Sequence, residues 1–445
     1  MTTLWQRLTR PKTSEPSYPL LPAVSDSGET NVPGIYAAGE LAGTPLVKLG
    51  LNAGHALVER IAPELKEEAR SEDILDLVIV GSGSSGFAAT VAAKDLGLRA
   101  VTLEADKFAN TFVTMTKGKL LFAEPLDVPV RGRVWFEECR KEELLDRWRQ
   151  MIDDEKLDIR EQEKVTDIRG SKGDFTVVTG NGEYRARRVL LCLGKAGNPR
   201  KLGVPGEREH ASKVHHRLLD PADYQGQDVL IVGAGDVACE AAIALAADGR
   251  NRVTLSAIDR ELTFPKKRNI DAIRSLEREG HLRIELDSKV TRIDSDAAIV
   301  MLSGGQEERL PNDVVFEMIG AELPLAFLKK VGIRLAGSWT PKKWLILAAI
   351  FVFVYSLYAL KSYGKGATAW PFESLISQGT YDSILKSIFQ VAFAPFAWLF
   401  DDAARQDIYA DRGFQQGYLY SGLYTLIMLV FGGEVLLRWR KKAKN

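Results

Sequence analysis

Two glycine-rich loops, one in each half of the region before the apolar C-terminal stretches, constrain this chain more than any other feature. The first is Gly81-Ser82-Gly83-Ser84-Ser85-Gly86, which follows the apolar run Leu75 to Val80. The second is Gly233-Ala234-Gly235-Asp236-Val237-Ala238, which follows Val229 to Val232. Each reads as strand, tight turn and helix. The glycines let the backbone approach a pyrophosphate, which rests on amides at the helix N-terminus. One such loop also serves ordinary strand–helix packing. Two in the same context imply two dinucleotides and electron traffic between them. The alternation of apolar strands and helices around the loops predicts an α/β fold of two Rossmann-like domains, with parallel sheets covered by helices on both faces.

Spacing assigns the ligands. Glu104 ends the second strand, Arg99 to Leu103, at the distance from Gly81 where this motif places its ribose-binding acid. An acid there accepts hydrogen bonds from the hydroxyls of an adenosine ribose with a free 2′-OH. The same offset from Gly233 leads to Ser256, at the end of Arg252 to Leu255. Arg260 follows, then Lys266, Lys267 and Arg268, a cationic group suited to a 2′-phosphate. The first loop is thus read as an FAD site and the second as a site for NADPH rather than NADH. Two alternatives stay open: Asp259 binds a ribose if the strand runs longer, or the basic cluster is a solvated loop. The candidate contacts are Gly81, Gly83, Ser84, Ser85, Gly86 and Glu104 for FAD, and Gly233, Gly235, Asp236, Val237, Ser256, Arg260 and Lys267 for NADPH.

Further stretches carry a resemblance. Leu191-Cys192-Leu193-Gly194, the segment Val229 to Ala242 and the stretch Phe316-Glu317-Met318-Ile319-Gly320-Ala321-Glu322-Leu323-Pro324 are similar to those of the two-dinucleotide flavoproteins. The chain resembles this pyridine nucleotide-disulfide oxidoreductase superfamily over about residues 30 to 335, especially its thioredoxin-reductase-like branch with the bacillithiol-disulfide-reductase type. The resemblance adds Gly194 to the FAD contacts. It also identifies Asn31 to Glu40 as the segment that closes the FAD domain, with Gly39 and Glu40 on the flavin ribitol. In the family that segment follows the NADPH domain and carries aspartate where Glu40 stands. Here it comes first, followed by a helical stretch, Gly50 to Ile61, and a polar link, Ala62 to Asp73, and no second copy follows Leu335. A circular permutation is expected, since domain termini lie at the surface and often close together; the alternative is a leftover fragment that folds against nothing.

The departures from the family concern sulfur. Val214 to Asp220 matches the stretch in which thioredoxin reductases carry Cys-x-x-Cys, and it has no cysteine. Asp106 to Lys119, where glutathione-reductase-type enzymes place two, has none either. Ser85 stands where the bacillithiol type has a cysteine, and Ala109-Asn110-Thr111 replaces the family's Gly-Gly-Thr beside the flavin. A thiol–disulfide relay is therefore not expected. Cys139, Cys192 and Cys239 have neither metal-ligand nor redox spacing, and Cys139, in a charged helical stretch, reads as an exposed bystander. His215 and His216 read as a packed or solvated pair without an acid partner.

The domains follow: an irregular lead over 1–30, the closing segment over 31–73, an FAD-binding domain over 74–222, an NAD(P)H-binding domain over 223–335 and a membrane region over 340–445. Trp344 to Leu360 carries no charge and sits at the short end of the length that spans a bilayer. Tyr418 to Leu437 is slightly longer and carries one acid, Glu434. Lys342 and Lys343 precede the first span, and Arg438, Arg440, Lys441, Lys442 and Lys444 follow the last. The positive-inside rule puts both clusters in the cytoplasm and calls for two crossings, with Ile384 to Phe400 on or dipping into the outer face. Lys plus Arg and Asp plus Glu stand at 59 each, so charge points to no nucleic-acid partner. The sequence reading is a cell (inner) membrane-anchored NAD(P)H oxidoreductase with its catalytic domains and C-terminus cytoplasmic. Its partners are the lipid membrane and an electron acceptor (a quinone, a ferredoxin-like protein or a membrane subunit), with a homodimer left open. The alternative is a non-catalytic nucleotide-sensing or scaffold subunit.

Overall fold

The computed structural model describes residues 21–336 apart from 70, 196 and 248, together with 341, 344–352 and the single positions 383, 387 and 432. The chain divides into two compact units, 1–338 and 339–445. In the second, residues 344–352 are helical, with Leu345, Phe351 and Val352 exposed. Among the described residues no helix is long and apolar enough to cross a membrane. The remainder of the expected span 344–360, and the segments 384–400 and 418–437 apart from positions 387 and 432, lie outside the described residues.

Among the described residues the first unit holds two large sheets, each carrying one glycine loop, beside a three-stranded and a two-stranded antiparallel sheet. The first contains β1 (Ile35–Ala37), β2 (Leu75–Val80), β3 (Ala100–Leu103), β4 (Ile159–Arg160), β5 (Val165–Ser171), β6 (Asp174–Thr179) and β7 (Glu183–Leu191). The order is β4-β3-β2-β7-β6-β5, with β1 also paired to β7. The sheet is mixed rather than wholly parallel. The turns at Lys172-Gly173 and Gly180-Asn181-Gly182 are too short for a crossover, so β5, β6 and β7 run antiparallel.

The N-terminal segment belongs to this sheet. β1 lies parallel on β7, Ile35 opposite Val189 and Ala37 opposite Leu191, so the reading as a fragment folded against nothing is excluded. The helix after it, α1 (Val47–Glu67), runs past Pro63 and takes in part of the expected polar link. It packs on α2 (Ser84–Asp95), the helix of the first loop. A Cβ at Gly54 would collide with the Ser85 carbonyl, and one at Gly86 with the Gly81 carbonyl. Residues 21–30 are no loose lead: the Ala23 amide donates to the Arg334 carbonyl (2.8 Å), the Ala336 amide to Leu21 (2.7 Å), and Pro22 bridges Leu335. A further helix, α3 (Lys141–Glu155), buries Trp148 against Phe87, Phe108 and Phe112.

The second sheet and its cover comprise β8 (Val214–His215), β9 (Asp228–Val232), β10 (Arg252–Ser256), β11 (Leu282–Glu285), β12 (Lys289–Ile293), β13 (Ala297–Met301), β14 (Glu307–Pro311) and β15 (Val314–Glu317). The parallel order is β8-β15-β9-β10-β11. On one face Ile231, Leu255 and Phe316 pack against α4 (Asp236–Ala246) and α5 (Lys267–Arg278). The other face meets the antiparallel sheet β12-β13-β14 instead of the expected helices, because Val290, Ile293, Ala298, Val300 and Leu310 give that sheet one apolar face. Both expected edges of the 223–335 domain shift. β8 pairs here although it precedes 223, and Leu323 to Ile333, with α6 (Leu325–Lys330), returns to the first core.

Gly54→Ala tests the seating of α1. The methyl group has to push α1 from Ser85, costing about 1–3 kcal/mol as overpacked sites do. A lower melting temperature together with lower flavin content is the expected result of thermal melts and absorbance on purified protein.

Candidate functional site

The first loop opens onto a cavity of about 560 Å³. Gly81, at φ +101, lies against the Cys192 carbonyl where a Cβ would not fit. Gly83 faces open space, so a phosphate can approach its backbone, and α2 begins with Ser84 and Ser85 directly beyond. Glu104 stands in the cavity wall, Oε2 accepting from the Ser82 amide and hydroxyl, both at 2.8 Å, and Oε1 from the Asp106 amide at 3.1 Å. Gly194, at φ +60, closes the wall after β7.

The N-terminal segment completes the cavity. Gly39 adopts φ +71 and leaves no room for a Cβ beside Ser85, and Glu40 joins the wall with Oε1 3.6 Å from Lys195 Nζ. Other wall residues escaped the sequence reading. Arg217 comes from the strand-to-loop passage after β8 and donates to Thr114 Oγ1 at 2.6 Å; burial holds its guanidinium below its usual pKa. Lys330 lines the cavity too, and so do Asn110 and Thr111, from the stretch that the resemblance puts beside the flavin. Only a three-dimensional path brings 217 and 330 beside 104, so local spacing gives no signal of it.

The second loop repeats the first. Gly233, at φ +134, abuts the Met318 carbonyl as Gly81 abuts that of Cys192, and Gly235 faces open space like Gly83. Val237, in the first turn of α4, is exposed. Asp236 Oδ1 accepts from the Lys266 amide and from Asn269 Nδ2, both at 2.8 Å, so its carboxylate ties the start of α4 to the start of α5. Ser256 is a correction. It is fully buried with its hydroxyl 2.8 Å from that of Ser288, so its side chain is not a nucleotide contact and the position matters for lacking an acid. Arg260 is exposed, 3.7 Å from Asp287, and Lys266, Lys267 and Arg268 are exposed at the start of α5. Both loops therefore offer what a dinucleotide needs: an uncrowded second glycine, a helix N-terminus and a strand end suited to one ribose or the other.

Residues 78–343 match the family described as pyridine nucleotide-disulphide oxidoreductase. The chain belongs to that family. It is 28% identical over 274 residues to the ferredoxin–NADP reductase of Ignicoccus hospitalis, covering 59% of this chain and 83% of that one. It is 24% identical over 263 residues to the bacilliredoxin reductase of Bacillus subtilis, covering 58% and 80%. The bacillithiol disulfide reductase of Staphylococcus aureus shares the fold, with a TM-score of 0.53 at 24% identity over 59% of this chain and 81% of that one. Homologues in this family are FAD-dependent NAD(P)H oxidoreductases, and FAD and NADPH are the cofactors of its ferredoxin–NADP reductase-like and thioredoxin-reductase-like members.

For a member of a disulphide oxidoreductase family, this chain keeps its sulfur out of reach. All three cysteines are unpaired and buried. Burial pushes the Cys139 and Cys239 thiols up to about 11 and Cys192 up to about 12, which leaves negligible thiolate at neutral pH. Cys139 is thus not the exposed helical residue expected. It lies on a short strand, Cys139–Arg140, whose pairing with Leu120–Leu121 turns it into the core around Trp148.

The histidine pair has an acid neighbour, though no hydrogen bond joins it to His216. Its Nδ1 lies 3.6 Å from Oε2 of Glu317, a fully buried carboxyl at the end of β15 next to the backbone that Gly233 abuts. Burial chiefly, then the charge of Glu207, raises the Glu317 pKa to about 7. An apolar strand pattern hides an acid at its last position, which is why the sequence reading passed over it. A carboxyl raised in the fold above its ordinary value contributes stability that is complete below that value and is lost as pH rises through about 7. Glu317→Gln is expected to melt several degrees above the parent protein at pH 8, with the gap closing below about pH 5. A constant gap across that range in thermal melts would show that the carboxyl is already ionised in the fold.

Proposed function

We propose that this chain is a membrane-anchored, FAD-dependent NADPH oxidoreductase that passes electrons through the flavin to an acceptor without a redox-active disulfide. The carrying observation is the first-loop cavity: Glu104 and Glu40 stand in its wall, and the thiol at its edge, Cys192, is buried and protonated. The amides of Ser84 and Ser85, beyond the uncrowded Gly83, cradle the FAD pyrophosphate, while the Ser82 amide stays on Glu104 and the Phe87 amide on the Gly83 carbonyl. Glu104 accepts from the adenosine ribose, and Gly39, Glu40 and Gly194 border the ribitol. Gly233, Gly235 and the Val237 amide take the pyrophosphate of NADPH, and Arg260 and Lys267, with their basic neighbours, take its 2′-phosphate. Bound flavin and nicotinamide supply the hydride and electron chemistry, while the chain orients them and excludes water.

The contact of Pro22 with Leu335 supports a permuted FAD domain, because it holds the stretch just before the closing segment at the place where that segment follows in the family. The absence of relay cysteines favours an acceptor that meets the flavin site directly: a quinone, a ferredoxin-like protein or a membrane subunit. The membrane reading, with spans at 344–360 and 418–437 and both basic clusters in the cytoplasm, rests on hydropathy and charge.

A double variant, Cys139→Ser with Cys239→Ala, retains a single thiol and so cannot form an internal disulfide. NADPH-driven reduction of a soluble quinone should stay within about twofold of the parent rate after correction for folded protein, the margin expected of substitutions away from the reacting groups. Abolished turnover in folded, flavin-loaded protein would restore a thiol relay. For topology, single cysteines at positions 404 and 443, in a background lacking the native three, should be labelled by an impermeant reagent at 404 and protected at 443 in intact cells. Labelling at both contradicts the two-span arrangement.

A further inference from the structure

The cations next to the second loop are already engaged, and one partner belongs to the other dinucleotide domain. The ring of Phe122 lies beneath both Lys266, whose Nζ is 5.3 Å from the ring centroid, and Arg268, whose guanidinium carbon is 4.7 Å away. Phe122 follows the short strand Leu120–Leu121 of the first domain, whereas Lys266 and Arg268 flank the first residue of α5 in the second. A seam of contacts fixes the ring. Lys117 Nζ pairs with Asp220 (2.7 Å), Lys119 pairs with Glu240 of α4, Thr116 Oγ1 donates to the Leu218 carbonyl (2.9 Å) and the Lys117 amide to that of Leu219 (2.8 Å). On the other side, Asp236 of the glycine loop holds the Lys266 amide, so the cation pair is anchored to the nucleotide loop itself.

We propose that Phe122 is a specificity-determining residue of the NADPH site: its face competes with the 2′-phosphate for Lys266 and Arg268, so the contact between the domains sets how strongly NADPH is preferred over NADH. This rests on reading the second loop as the NADPH site. A 2′-phosphate draws both cations into charge-assisted hydrogen bonds, and each must first leave the ring. NADH makes no such demand, so the competition acts on NADPH alone. Asp287, beside Arg260, opposes the same phosphate in the same sense.

The probes are 2′,5′-ADP and 5′-AMP, titrated calorimetrically into full-length, flavin-loaded protein. Phe122→Ala and Phe122→Leu should each bind 2′,5′-ADP roughly fivefold more tightly than the parent, with 5′-AMP unchanged, as loss of two cation–π contacts implies. Leucine keeps the apolar bulk and removes the π face, so a gain with alanine alone would mean relief of packing and would overturn the proposal. Unchanged or weaker 2′,5′-ADP binding in both variants overturns it as well, since the ring would then be idle or would be arranging the cations for the phosphate. Arg268→Gln separates the two levels. If it weakens 2′,5′-ADP selectively while the Phe122 variants gain nothing, only the competition fails. If the parent binds both probes equally, the NADPH reading fails and this inference fails with it.

Discussion

The architecture depends on a close helix crossing. α1 approaches α2 until Gly54 lies on the Ser85 carbonyl, and the same segment lays β1 along β7. These contacts carry residues from the start of the chain to the loop that follows β2, where Gly39 touches Ser85 and Glu40 enters the cavity wall. A side chain at either glycine would part the segment from the loop, and a cavity assembled from residues 40, 104, 194, 217 and 330 would lose its N-terminal wall.

The two halves solve the same problem with the same backbone and differ at their strand ends. In each, the first glycine rests on a carbonyl of the sheet's neighbouring strand end, and the second faces open space. At the end of β3 stands Glu104, held toward the loop by the Ser82 amide and hydroxyl. At the end of β10 stands Ser256, turned inward to Ser288. In the function proposed above, the discrimination between a free ribose and a phosphorylated one passes to side chains beyond the strand, and two of these, Lys266 and Arg268, touch the first domain through Phe122.

Much of this was legible in the sequence wherever the signal was local. β2, the strand ending at Leu103, and those before and after the second loop emerged from apolar runs next to glycines, and Glu104 emerged from spacing alone. What was not legible depended on long-range contact. Nothing in Val214-His215 shows that it pairs with Val315 and Phe316, far along the chain. The alternation at 289–311 suits an edge hairpin as well as a cover for a parallel sheet. Cys139 was misplaced because its exposed charged neighbours, Glu137, Glu138 and Arg140, mask a two-residue strand that turns the thiol into the core. Glu317 was hidden for the opposite reason, a single acid closing an apolar strand.

In the function proposed above, one flavin, fed by NADPH, is the whole redox capacity of the folded domains, with no thiol pair behind it. Anaerobic titration of the purified, flavin-loaded protein with NADPH, followed by flavin absorbance, tests this directly. Complete bleaching with a single equivalent of NADPH per flavin is the expected result. Bleaching that needs a second equivalent would reveal another two-electron centre, and a flavin spectrum unmoved by excess NADPH would make the chain a nucleotide-binding module without turnover.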